Sequence, residues 1–259
     1  MKNMSTSGPK KWEYFELKPL PENLTLIVGI PDVGLVGPIA VTYLIKNLKL
    51  ELAGYVDSPL LPPVILFHDY QLLTPVRVYG PTDVGEKVAV FFSESAIPPS
   101  GLYSLAQFIV TWAASKRVKR LVMVGGVAVP NRMQIEKPKV YVATALEEDR
   151  ELAKKSGLKL LREGFMGGAY AMLLKECFKR RFPGIALLAE SHLHYPDPGA
   201  AAAVLEALEP LLGIKVDVAP LLEQEEEIRV KLRELMKRTV ESMRGAGKEY
   251  EYTIPAMYV

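Results

Sequence analysis

A chain of 259 residues has ample material for one large α/β domain, and its 49% hydrophobic and 24% charged content is that of an ordinary folded protein. With 32 basic and 30 acidic residues the net charge is only +2, so no strong overall field draws the molecule to nucleic acid or to an acidic membrane. The single cysteine, Cys177, excludes an internal disulfide and a thiolate metal cluster and fits a reducing, cytoplasmic setting.

The opening MKNMSTSGPKKWEYFELK is polar and lacks the apolar stretch of a secretory signal; no uninterrupted apolar run reaches the ~18 residues of a membrane helix. The first predicted element is LTLIVGI (24–30), a strand halted by Pro31 and followed, after a glycine turn, by the helix PIAVTYLIKNL with Pro38 in its first turn. LAGYVD (52–57) and VILFHD (64–69) read as strands separated by SPLLPP, and VRVYG and KVAVFFSE as a hairpin around PTDVGE. A helix over 101–115 precedes the buried strand RLVMVGGVAV (120–129), which ends in Gly125-Gly126. KVYVATA (139–145) is another strand, and LEEDRELAKKSG a charged helix closed by Gly157. Then come the helix GGAYAMLLKECFKRR, with Cys177 as an inert core residue, the strand GIALLAE (184–190) and a helix over 198–213. Strands alternating with helices predict an α/β fold, a mostly parallel, mixed sheet with helices on both faces.

Beyond residue 220 the texture changes. Ile228, Leu232, Leu235, Met236, Val240 and Met243 form a helical stripe. Glu225, Glu226 and Glu227 lie at its start and Lys237, Arg238 and Arg244 toward its end, an order that complements the helix dipole. The stripe packs on its own domain in the simpler reading, and contributes to a subunit interface in the alternative. Gly245 and Gly247 release the helix, and Pro255 stiffens the approach to Met257, Tyr258 and Val259. The expected organisation is a polar segment (1–19), an α/β core (20–219), an amphipathic helix (220–244) and a flexible tail (245–259).

GIPDVGLVG (29–37) is a strand-to-helix turn of the kind that can cradle phosphate on backbone amides, but it lacks the Gly-Lys-Ser/Thr of a phosphate loop and the GxGxxG spacing. Its Asp32 is an acid–base candidate or, more simply, a turn former. Glu94 stands at the end of a strand, where open α/β sheets bind ligands. Glu190, Ser191, His192, His194 and Asp197 follow another strand. His192 and His194 would face one way in an extended segment, yet no third ligand is spaced to complete a metal site. Asp32, Glu94, His192, His194 and Asp197 therefore mark a pocket mouth, with no catalytic group, cofactor or metal assigned. The tail offers three handles: an apolar side chain at Met257, a ring with a hydroxyl at Tyr258, and a carboxylate at Val259.

VGIPDVGLVGPIAVTYL, the Gly125-Gly126 strand end, EGFMGGAYAMLL and HYPDPGAAAAVLEAL, taken in order, resemble the archaeal form of the proteasome assembly chaperone 2 family over roughly residues 20–240. The resemblance implies a fold similar to that of nucleoside phosphorylases and related hydrolases, and an ATP-independent homo-oligomer, tetramer or pentamer. The ending Met257-Tyr258-Val259 is similar to the hydrophobic-tyrosine-any (HbYX) motif of proteasome activators. That likeness implies that Met257 is the apolar anchor, Tyr258 the gate-acting ring and Val259 the carboxylate donor. They would enter pockets between subunits of the α ring of the proteasome core particle. Unfolded protein clients are a further class of partner. Two competing readings stay open: a nucleoside- or nucleotide-handling enzyme with a pocket near Asp32, Glu94 and His192, and a tail that packs on a neighbouring subunit.

Overall fold

The structure, a computed structural model, describes residues 12–81 and 87–245. Strand β1 (Glu13–Glu16) precedes β2 (Thr25–Gly29), the first of the apolar runs. A 3-10 turn at Val33–Leu35 leads into α1 (Val36–Asn47). β3 (Glu51–Asp57), β4 (Leu66–His68), β5 (Gln71–Leu73), β6 (Val76–Gly80) and β7 (Val88–Ser93) follow. Next are α2 (Pro99–Ser115), β8 (Arg120–Ala128), β9 (Val140–Thr144), α3 (Glu147–Lys155) and β10 (Lys159–Leu160). The chain continues through α4 (Gly168–Arg180), β11 (Gly184–Ser191) and α5 (Pro198–Leu212), and ends in α6 (Ala219–Glu223), α7 (Glu225–Lys231) and α8 (Arg233–Gly245).

Among the described residues, nine strands form one mixed sheet in the order β1-β3-β6-β7-β2-β8-β11-β9-β10. Its centre, β7-β2-β8-β11, is parallel, with Ile27 opposite both Val90 and Val122. The flanks are mostly antiparallel: β6 turns back beside β7 as expected from the hairpin reading, β3 beside β6, and β9 beside β11, while β10 runs parallel to β9 at the edge. The PTDVGE connection lies mostly outside the described residues. Alternate side chains of the central strands enter different cores. Ile27, Val122, Ile185 and Leu187 join α1 and α5 on one face; Leu26, Val28, Met123 and Ala186 join α2 and α4 on the other. Burial on both faces is why these strands read as continuous apolar runs without alternation.

Three features depart from the sequence reading. Residues 13–16, within the polar N-terminal segment, pair antiparallel with β3; the indole of Trp12, buried beside them, donates to Ser104 Oγ at 2.9 Å. The strand expected over 64–69 shrinks to β4, which leaves the main sheet and pairs only with β5. Its two-residue turn has Asp69 and Tyr70 at φ of 47° and 64°, the left-handed geometry that a tight hairpin demands and that glycine usually supplies. The helical run expected over 220–244 spans Ala219–Gly245 and bends at Gln224 and Leu232. The carbonyl at each bend opens the next helix (Ile228 N donates to Gln224 O at 3.0 Å, Met236 N to Leu232 O at 2.9 Å), so one helix follows directly on another. The bends keep Leu221, Ile228, Leu232, Met236 and Met243 against the α1–α5 core.

Candidate functional site

The four motifs singled out in the sequence converge at the carboxyl ends of the central strands. Tyr170, on the first turn of α4, is fully buried; its hydroxyl donates to Ile30 O and accepts from Ile30 N, both at 2.9 Å. Gly125 on β8 makes room for that ring, since a Cβ there would stand 2.4 Å from it. Burial pushes the Tyr170 hydroxyl far above its ordinary pKa, with the nearby Asp32 charge adding to the effect, so it stays protonated and serves as a bracket. The turn after β2 meets the loop after β11 directly: Asp197 N donates to Gly34 O at 2.8 Å. Gly34 has φ of 61°, and a Cβ there would lie 2.0 Å from Ser191 Oγ.

Asp197 is the hub of that loop. Its carboxylate accepts five hydrogen bonds: from Arg132 Nε (2.8 Å) and Nη2 (2.9 Å), Ser191 Oγ (3.2 Å), His192 N (3.0 Å) and Ala200 N (3.0 Å). The last bond caps α5, whose first residue is Pro198. With both oxygens occupied and no exposure, Asp197 holds the loop in shape and has no free lone pair facing solvent. Glu190 is likewise engaged, accepting from Lys139 N and the Tyr141 hydroxyl, both at 3.0 Å.

Of the five pocket residues read from the sequence, Asp32 and Asp197 are drawn together through the Gly34 contact, and both are buried. Glu94 lies apart, paired with Arg77 of β6. Arg77 is buried over the rings of Phe92 (5.3 Å) and Tyr79 (5.9 Å), and its Nε and Nη1 lack hydrogen-bond partners. His192 and His194 face different grooves, the first with Arg132 and Met133, the second along α8. Burial pushes the His192 imidazole below its ordinary pKa; Asp197 opposes this and Arg132 and Arg229 reinforce it. Among the described residues, no group of three or more His, Cys, Asp or Glu side chains is arranged to hold a metal ion. Burial pushes the Cys177 thiol up to about 12, with Asp149 and Glu176 adding to it, which makes it an unreactive core residue.

The surface is more suggestive than these interior networks. The β4–β5 hairpin exposes Phe67, Tyr70 and Leu72, with Phe67 directly across from Leu72. Behind it, a groove of about 580 Å³ runs between Val64, Ile65, Pro98 and Pro99 and the α8 residues Leu235 and Arg238. A second groove, of about 650 Å³, follows the other side of α8. Sequence reasoning missed Arg132 and Arg77, whose acidic partners are distant in the chain, and it missed the hairpin because no glycine marks its turn. Met257, Tyr258 and Val259 lie outside the described residues. Among those residues no helix is long and apolar enough to cross a membrane.

The profile of the PAC2 family matches residues 26–236. The chain is 32% identical over 229 residues to the uncharacterized protein MJ0106 of Methanocaldococcus jannaschii, covering 88% of this chain and 92% of the relative. Its fold is similar to that of Pyrococcus furiosus PbaA, described as an archaeal homolog of proteasome-assembly chaperone, with a TM-score of 0.81 and 31% identity over 90% of this chain and 100% of that one. It is also similar to P. furiosus PbaB, described as an archaeal proteasome activator, with a TM-score of 0.73 and 25% identity over 87% of this chain and 99% of that one. With that profile covering most of its length, the chain belongs to the PAC2 family.

Proposed function

We propose that this protein is an ATP-independent chaperone or activator of the proteasome, a cytoplasmic binding protein with no catalytic site of its own. In this reading Met257, Tyr258 and Val259 enter the pockets between neighbouring subunits of the α ring: Met257 as apolar anchor, Tyr258 as the ring that acts on the gate, Val259 through a free carboxylate. The observation that carries it is the similarity to PbaA and PbaB over nearly their whole length. The packed body supports the same reading, because its carboxylates are spent on structure, as at Asp197 and Glu190.

The mechanism is tethering. Fourteen residues follow Gly245, and a chain of that length has a root-mean-square reach on the order of 20 Å. A single tripeptide contact binds weakly. A homo-oligomer, tetramer or pentamer, presents several tails at once, and linkage raises overall affinity by roughly 10²–10⁴-fold where the spacing lets them dock together. The exposed Phe67, Tyr70 and Leu72 are where unfolded clients would find apolar contact.

The test is binding to purified proteasome core particles, with peptide hydrolysis read in the same samples. Three proteins are compared: the full chain, a form lacking 257–259, and a form with one residue appended after Val259. Binding by the full chain alone supports docking through the tail and its carboxylate. Equal binding by all three would sink that mechanism, and binding by none would remove the proteasome as partner.

A further inference from the structure

α1 and the α7–α8 run lie antiparallel and leave a slot between them. The Tyr43 hydroxyl, toward the end of α1, donates to Asp217 O ahead of α6 at 2.8 Å, and α8 packs on the 3-10 turn that precedes α1. Along the slot is a cavity of about 220 Å³. Ile39 and Tyr43 wall it on one side, Ile228, Leu232 and Leu235 on the other, and Phe92 of β7 lies beneath. An apolar cavity of about 150 Å³ admits benzene, so this one has room for a ring with a short arm.

Arg77 lies at the base of this cavity, behind Phe92. Its guanidinium carbon is 5.3 Å from the centre of the Phe92 ring, and its side chain is only 4% exposed. Of its nitrogens Nη2 meets Glu94, whereas Nε and Nη1 are buried without a hydrogen-bond partner. A guanidinium is a planar fork that grips a carboxylate through two nitrogens at once, so a contact through Nη2 alone leaves most of its capacity unused. Glu94 is also the movable half of the pair. Its side chain is 39% exposed, and it borders both the cavity and the groove behind the β4–β5 hairpin, so it has space to turn into. The other acid on the cavity wall, Glu227, is held by Lys231. Lys46, also on the wall, makes no ion pair among the described residues, so an entering anion meets a net positive rim.

We propose that this cavity binds a small apolar monocarboxylic acid. Its carboxylate replaces Glu94 on Arg77 and takes two guanidinium nitrogens where Glu94 takes one, while its ring or chain lies on Phe92 between α1 and the α7–α8 run. Glu94 is then a place-holder that keeps the buried cation neutralised while the site is empty, and the occupant ties the C-terminal helices to the sheet. The site goes beyond the function proposed above and does not depend on it.

The experiment uses the full chain with 3-phenylpropionate as probe and 3-phenylpropanol as its uncharged counterpart, read by titration calorimetry and by the melting temperature. The acid should bind and raise the midpoint, and the alcohol should bind at least tenfold more weakly. Glu94→Ala should lower the midpoint, because Arg77 loses its carboxylate; the acid should bind this variant at least tenfold more tightly than the parent and restore most of the lost stability. Thr42→Trp places a ring across the cavity from an exposed position on α1 and should abolish binding while leaving the midpoint unchanged. Arg77→Met should erase the preference for acid over alcohol; if it does not fold, the other two variants still decide. Equal binding of acid and alcohol by the parent, or a Glu94→Ala variant that binds no more tightly and is not rescued, overturns the proposal. Undiminished binding by Thr42→Trp places the acid elsewhere and overturns it too. Absence of binding to both the parent and Glu94→Ala would mean that the faces of Phe92 and Tyr79 satisfy the idle donors and that the cavity is a gap in packing.

Discussion

Replacing Asp197 with alanine should lower the melting temperature by roughly 8–16 °C. The substitution removes the cap of α5, worth about 1 kcal/mol, and strips Arg132 of its carboxylate partner. The guanidinium is about 10% exposed and retains only the bond from Nη1 to Ile135 O at 2.6 Å. Breaking a buried pair from one side costs about 3–5 kcal/mol, and the cap and pair overlap, so we take ~4 kcal/mol for the whole. For a domain of this size each kcal/mol moves the midpoint by about 2–4 °C. Arg132→Met should cost less, because the carboxylate keeps Ser191, His192 N and Ala200 N as donors. Combining it with Asp197→Ala should recover part of the loss, since no unpaired guanidinium then remains buried. Calorimetry or circular dichroism at neutral pH and fixed protein concentration reads all three variants. If Asp197→Ala shifts the midpoint by under about 3 °C, or the double variant is no better than Asp197→Ala, the hub role assigned to this carboxylate is wrong.

Tyr170→Phe leaves both backbone groups of Ile30 without their partner and should destabilise by about 1–3 kcal/mol in urea unfolding, with little change in the slope. For His192 the folded pKa lies below the unfolded value, so the fold favours the neutral ring. Its stabilisation is whole above about pH 6.5 and is lost as pH falls through the folded value. Protection factors of the amides over 191–197, with intrinsic exchange at each pH divided out, should therefore fall as pH drops from about 7.5 to about 5.5, and His192→Gln should flatten that dependence. Phe67→Ser with Leu72→Ser should change stability by no more than about 0.5 kcal/mol, since both side chains already face solvent; a larger loss would mean that the hairpin is packed against something in solution.

The central strands were legible because each is covered on both faces, which turns it into an unbroken apolar word such as LIVG or LVMV. β1 was not, because its partner lies some forty residues away, Glu13 opposite Asp57, and its four residues, EYFE, are too few to show a pattern. β4 and β5 were blurred by a turn that puts Asp69 and Tyr70 where glycine usually sits. The structural role of Asp197 was half legible. An aspartate directly before a proline at the head of an alanine-rich helix is the signature of a cap, and the structure uses it as one. Its second role, neutralising Arg132, could not be read because 65 positions separate the two residues. Glu94 hid its partner for the same reason: Arg77 sits in VRVYG like any strand residue, and only the register of β6 against β7 brings the two together.

The two outer strands of the sheet have a consequence for how copies of this protein can meet. β1 has four residues and carries Glu13 and Glu16, the latter tied to Lys116; β10 has two, and the ammonium of Lys159 lies 4.7 Å from the centre of the Tyr141 ring. Strands so short and so charged give an incoming backbone almost nothing to bond to. Copies of the chain that associate would therefore do so through side chains, each with its sheet already finished. The number of copies in such an assembly would then rest on surface side chains, which can change without reopening the core that the fold depends on.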